Sequence, residues 1–197
     1  LPGLIDGMVK FEGWENGETL QTGSRAAAAG GVTSVIEMPD LNPETSNLET
    51  LSERIARASE LSCVHYGTCF LATPENIAHG TPQDGACGAL VHPRIAGMET
   101  LGEAALEHIF AKTQVPLYFI AEDPNRIQER HLLYPDNTDI RNHPKIYDPR
   151  TASDATATAI ALALAYGIPL HLLEVSSEDE VQFITRHCDD SISASAT

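Results

Sequence analysis

Asp6, Met8 and Lys10 stand at alternate positions in the opening stretch Leu-Pro-Gly-Leu-Ile-Asp-Gly-Met-Val-Lys-Phe, residues 1–11. Read as a strand opened by the turn residues Pro2 and Gly3, this stretch puts all three side chains on one face, because alternate residues of a pleated strand point the same way. Such a trio at the C-terminal end of a first strand has the layout of a metal site in which two histidines follow an aspartate. Here neither follower is a histidine. The question the sequence poses is whether the chain does metal chemistry or keeps only the shape of a site for it.

The elements that must position this trio read as strands alternating with helices. A helix over 19–29, ended by Gly30-Gly31, leads to a β-branched, apolar strand over 32–38 stopped by Pro39. A loop over 40–43 follows, and Ser46 with Glu49 reads as a capping box for a helix carrying Leu48, Leu51, Ile55 and Ala58 at helical spacing. Strands are expected over 63–71, 89–91, 115–121, 169–175 and 192–196, and helices over 101–112 and 152–166. Ser177 with Glu180 reads as a second capping box, opening a helix to about His187, while residues 125–150 read as a long polar passage. Parallel βαβ units joined by short connections mean a β/α barrel or an open doubly wound sheet. No Gly-x-Gly-x-x-Gly follows any of the strands, which argues against a dinucleotide site and for the barrel.

The composition narrows the partners. Among 197 residues, 28 acidic and 12 basic side chains give a net charge of −16, a field that repels phosphate backbones and anionic lipid, so neither nucleic acid nor a membrane surface is an expected partner. No apolar run approaches the roughly 20 residues of a membrane span, and the first residues lack the basic and apolar regions of a signal peptide. Position 1 is not Met, so a partial or excised chain is expected. Cys63, Cys69, Cys87 and Cys188 lack the close pairing of a zinc ribbon or disulfide scaffold, which fits a reduced, cytoplasmic setting.

Several stretches in order resemble one family. They are Leu1-Pro-Gly-Leu-Ile-Asp6, Thr22-Gly-Ser-Arg-Ala-Ala27 with Ala29-Gly-Gly-Val-Thr33, Met38-Pro-Asp-Leu-Asn-Pro43, Ala121-Glu-Asp123, and Leu170-His-Leu-Leu-Glu-Val-Ser-Ser177 with Asp179-Glu180. Together they are similar to the dihydroorotases, cyclic amidohydrolases of the amidohydrolase superfamily, across residues 1–197 with only 73–97 weak. The resemblance implies an α/β fold, a TIM-type (β/α)8 metallo-dependent hydrolase-like barrel with zinc at the C-terminal strand ends. It implies one barrel domain over 1–197, incomplete at about seven strands, whose last strand and flanking β-sandwich lie outside this sequence.

Carried over position by position, the resemblance implies a site with its chemistry replaced. Asp6 is kept, but Met8 and Lys10 stand where the family has two metal-binding histidines, and a thioether or an ammonium is a poor substitute. Glu12 stands where an arginine holds the substrate carboxylate, and Asp40 where an asparagine meets the substrate. Leu90 is placed at the bridging lysine, Ile120 at the fifth-strand histidine and Glu174 at the sixth-strand histidine. Of the positions the resemblance gives to metal ligands, only Asp6 and Glu174 are able to bind metal, so no metal or other cofactor is expected. Lys10 is expected to pair with Asp6 or Glu174 as a charge filler, with a nucleophilic or basic lysine as the other reading.

Other residues carry lesser readings. His65 and His92 are candidates for a different metal site with Glu174 or Asp123, and His171 is expected to face the helices as a structural residue. Glu122-Asp123 is open between a functional acidic pair and a solvated turn, and Cys63 and Cys69 read as core residues sharing a strand face. The expectation for the whole is a catalytically inactive dihydroorotase-like protein of pyrimidine biosynthesis, forming a homo- or hetero-oligomer. The resemblance points to aspartate carbamoyltransferase as its partner. The alternative is a zinc-dependent cyclic amidohydrolase of dihydroorotase, hydantoinase or allantoinase type with an altered ligand set.

Overall fold

The computed structural model describes residues 2–11, 17–78, 85–93, 102–136, 139–187 and 190–196. The chain divides into two compact units, 1–90 and 91–197.

In the first unit, β1 (Leu4–Val9), β2 (Val32–Glu37) and β3 (His65–Thr68) form a parallel sheet in the order β1-β2-β3. Two helices connect them, α1 (Leu20–Ala29) and α2 (Leu48–Leu61). Val9, Phe11, Leu20, Val35 and Ala58 make the core under this sheet. Thr19 caps α1 by accepting the Thr22 N–H at 3.2 Å, which closes the helix start where the sequence placed it. The start of α2 differs from expectation. Asn47, not Ser46, is the cap: its Oδ1 accepts the Thr50 N–H at 2.9 Å, and Thr50 Oγ1 reciprocates to Asn47 N–H. Along α2, Leu48 is 66% and Ile55 36% exposed, while Leu51, Arg54 and Ala58 face inward.

The strand expected over 63–71 is two strands. It breaks at Cys69, between β3 and β4 (Phe70–Leu71), and Cys63 precedes it and is exposed. β4 pairs with β5 (Ala89–Val91) in parallel through Phe70 to Ala89 and Leu71 to Leu90, and α3 (Pro74–Ile77) follows β4.

In the second unit, β6 (Leu117–Ile120), β7 (Leu170–Val175) and β8 (Ile192–Ala196) pair in parallel, with α4 (Glu103–Lys112) before β6. Phe110 of α4 and Phe119 of β6, with ring centroids 6.3 Å apart, are fully buried beside Leu117, Ile160 and Leu170. The polar passage over 125–150 proves largely helical. It holds α5 (Pro124–Leu133), a 3-10 turn (Ile140–Asn142) and α6 (His143–Ile146). Asp123 caps α5, with Pro124 at the first helical position where a missing N–H costs nothing. α7 (Pro149–Tyr166) begins three residues earlier than expected because Asp148 caps it, and Gly167 ends it at φ 67. α8 (Glu178–His187) has the expected box: Ser177 Oγ and N–H both donate to Glu180 Oε2, at 2.8 and 3.0 Å.

Candidate functional site

The strand ends of the first unit carry charge. Lys10 follows β1 and its Nζ lies 2.6 Å from Asp40 Oδ2, on the loop after β2. Lys10 was expected to pair with Asp6 or Glu174; within its own unit it pairs with Asp40 instead of Asp6, because the loop after β2 brings the Asp40 carboxylate to the end of β1. Asp6 is turned away from this pair. The β1–β2 register shifts between Asp6, opposite Val35, and Val9, opposite Glu37, so three steps on β1 match two on β2. That bulge breaks the alternation that would put Asp6 and Lys10 on one face. Asp6 is exposed, with Oδ1 accepting the Met8 N–H at 3.1 Å, and Met8 is half-buried.

Beneath Lys10 lies a buried ionic network that the sequence reading passed over. Glu37, 1% exposed, ends β2. Its carboxylate accepts hydrogen bonds from the Tyr66 hydroxyl at 2.5 Å and the Phe11 N–H at 3.3 Å, and Arg54 Nη1 lies at 3.4 Å. Arg54 Nη2 also donates to the Pro43 carbonyl at 2.8 Å. Burial, and next the Glu37 charge, push the Tyr66 phenol well above its ordinary value. A signal was available: a glutamate inside an apolar strand run needs a buried cation, and Arg54 sits on the inward face of the next helix.

In the second unit, a cleft of about 650 Å³ opens at the C-terminal ends of β6 and β7. Ile120 and Glu174 line it together with Glu122, His143, Tyr147, Asp148, Thr151 and Ser177, and among the described residues no lysine or arginine does. His143 stacks on Tyr147 with centroids 4.7 Å apart. Arg126 holds Asp148 from behind through Nε at 2.8 Å and Nη2 at 2.5 Å, which pulls the Asp148 carboxyl well below the usual range. Glu174 is exposed and sits at a bulge, at φ 60, where Leu172 to Val175 on β7 match Ala194 to Ala196 on β8.

The remaining positions fall as follows. Leu90 and Ile120 are buried and offer no donor atom, at 0% and 3% exposure. Glu12 lies outside the described residues. Asp123 is a helix cap, accepting from Asn125 N–H at 2.9 Å, while Glu122 lines the cleft. His171 is half-buried on β7, its ring nitrogens 2.8 Å from Ser193 Oγ and 3.2 Å from Ser195 Oγ. A thioether, an ammonium and two aliphatic side chains stand at the positions the resemblance gives to ligands. Among the described residues of either unit, no three His, Cys, Asp or Glu side chains converge as a metal-binding group, His65 and His92 included. No helix of the described residues is long and apolar enough to cross a membrane.

No family model matches the chain. It is 30% identical over 208 residues to the dihydroorotase of Latilactobacillus sakei, covering 96% of this chain and 46% of that protein. It is 25% identical over 186 residues to the dihydroorotase of Methanothermobacter thermautotrophicus, covering 93% and 43%. Among solved structures, the L-hydantoinase (dihydropyrimidinase) of Arthrobacter aurescens superposes with a TM-score of 0.86 at 22% identity, over 99% of this chain and 47% of that one. The dihydropyrimidinase of Brevibacillus agri gives 0.78 at 22% identity, over 100% and 46%. The chain thus spans about half the length of the curated relatives it matches. Its fold class is the TIM-type barrel of the amidohydrolases, present as an incomplete α/β parallel-sheet portion. The dihydroorotase relatives support a place in the cyclic amidohydrolase family, and the hydantoinase neighbours show the same fold.

Proposed function

We propose that this is a dihydroorotase-like protein of pyrimidine biosynthesis that has given up metal catalysis and serves as a structural partner in an enzyme assembly, with aspartate carbamoyltransferase as the first partner to test. The observation that carries this reading is the Lys10–Asp40 ion pair at 2.6 Å. It joins a cation standing in a metal ligand's place to a carboxylate standing in a substrate-binding residue's place. That pairing favours the charge-filler role of Lys10 over a nucleophilic one. The cleft lining supports the same reading, since Glu122 and Glu174 face a space that an anionic substrate such as dihydroorotate would have to enter against like charge.

The experiment is elemental analysis and turnover on the purified full-length protein. Zinc well below one ion per chain and no hydrolysis of dihydroorotate are expected, together with co-purification and a larger particle by light scattering when the transferase is added. Stoichiometric zinc, with turnover lost in Glu174→Gln or Asp6→Asn, would overturn the reading, and a monomer that ignores the transferase at every salt concentration would remove the assembly role. A second reading, an altered-ligand cyclic amidohydrolase, draws support from the same acidic lining, which does not repel a neutral ring. Hydantoin and allantoin belong in the same turnover panel for that reason.

A further inference from the structure

Cys69 and Cys87 meet at a junction that the strand-end chemistry does not use. Cys69 fills the break between β3 and β4 and is completely buried, while Cys87 is exposed, and both are free thiols. Three backbone hydrogen bonds zip the chain together here: Cys69 N–H to Glu37 O at 3.1 Å, Phe70 N–H to Gly88 O at 2.9 Å, and Cys87 N–H to Thr68 O at 2.8 Å. The last two set Cys87 on the segment running beside Cys69. Adjacent strands run about 4.8 Å apart, inside the roughly 4.4–6.8 Å Cα separation that a disulfide bridges.

The side chains share a face as well. A Cβ placed on Gly67 would lie 2.3 Å from Cys87 Sγ, so the sulfur occupies the space over Gly67 that any other residue there would fill. Across the break the backbone still alternates, with Thr68 O and Phe70 N–H bonded to residues 87 and 88 and Cys69 N–H bonded to Glu37 O on the other side, so residues 67 and 69 share a face and the Cys87 sulfur lies over it. The two thiols also sense each other. Burial raises the Cys69 thiol strongly and the neighbouring Cys87 raises it further.

From this juxtaposition we infer that Cys69 and Cys87 are a reversible modification site, closing to a disulfide under a disulfide oxidant such as oxidised glutathione. The Cys87 thiolate attacks one glutathione sulfur, forming a mixed disulfide and releasing one glutathione thiolate. The Cys69 thiolate then attacks the Cys87 sulfur, forming the Cys69–Cys87 bond and expelling the second glutathione. Two protein thiols are oxidised, one glutathione disulfide is reduced, and the two thiol protons end on the released glutathiones. Burial raises both thiols, so closure is slow near neutrality and speeds up by about tenfold per pH unit while the thiolate fraction is small.

The test uses the full-length protein carrying Cys63→Ser and Cys188→Ser, incubated with oxidised glutathione and mapped by mass spectrometry without reduction. A Cys69–Cys87 linked peptide that forms faster at higher pH and disappears on adding dithiothreitol is expected. Cys69→Ala is expected to stop at a stable glutathione adduct on Cys87, and Cys87→Ser to take up no glutathione at all. If the unsubstituted pair also stops at the Cys87 adduct, or links neither residue, the inference fails.

Discussion

Glu37 brings a carboxylate into a strand that is otherwise apolar, and its cost is met by Arg54, Tyr66 and the Phe11 N–H. Removing one member of a fully buried pair leaves the other uncompensated, so Glu37→Gln is expected to destabilise the protein by about 3 kcal/mol, with Glu37→Leu/Arg54→Met regaining more than half of that in urea unfolding. Lys10 and Asp40 offer a contrast. Lys10 is 33% exposed, solvent screens the pair, and Lys10→Met is expected to cost below about 1 kcal/mol. The pair therefore matters for what it occupies more than for stability. His171 gives a pH signature: burial lowers its folded pKa below the unfolded value of about 6.5, so the unfolded chain binds the proton more readily. Its contribution to stability is present above that value and is lost as pH falls below it. The urea midpoint of the native protein is expected to drop more between pH 7.5 and 5.5 than that of His171→Gln. At this scale the sequence shows which side-chain types stand at the positions the resemblance singles out, because that is a matter of residue type. It does not show that Lys10 finds Asp40, since that contact spans thirty positions and depends on a bulge in β1 that alternation alone cannot reveal.

Helix starts decide how the elements present these residues. Asn47 caps α2 through the Thr50 N–H, and Asn47→Ala is expected to cost about 1 kcal/mol, whereas Ser46→Ala should be near neutral; thermal unfolding of the two variants separates the caps. A Cβ on Gly23 of α1 would stand 2.2 Å from the Phe11 ring, so Gly23→Ala is expected to cost about 1–3 kcal/mol by overpacking even though alanine is the better helix former. The alternation of strands and helices was legible because apolar β-branched runs and Gly or Pro stops are local signals. Two elements were not. α5 hides in a polar stretch whose single buried residue, Ile127, gives no periodicity, and only Asp123-Pro124 marks its start. Ser46 and Asn47 compete as caps one residue apart, and Thr50, placed to complete the box with Asn47, settles the choice.

For the whole molecule, the net charge of −16 acts against compactness, and screening it is expected to raise the unfolding temperature as sodium chloride goes from about 0.01 to 0.3 M, where the Debye length shrinks several-fold. A protein held mainly by its core would show no such rise. The same surface charge selects partners with basic faces, which gives the assembly reading a salt dependence to look for. The segment between β6 and α7 has a consequence of another kind. Its two ends are pinned together: the Asp123 N–H donates to Thr151 O at 3.0 Å, and Arg126 grips Asp148. A stretch closed at its own base works as an interchangeable cassette. Its length and contents can be rewritten with only a small loop-closure cost, while the strands on either side keep their places. The wall of the cleft that His143 and Tyr147 supply can therefore be rebuilt without moving β6 or β7.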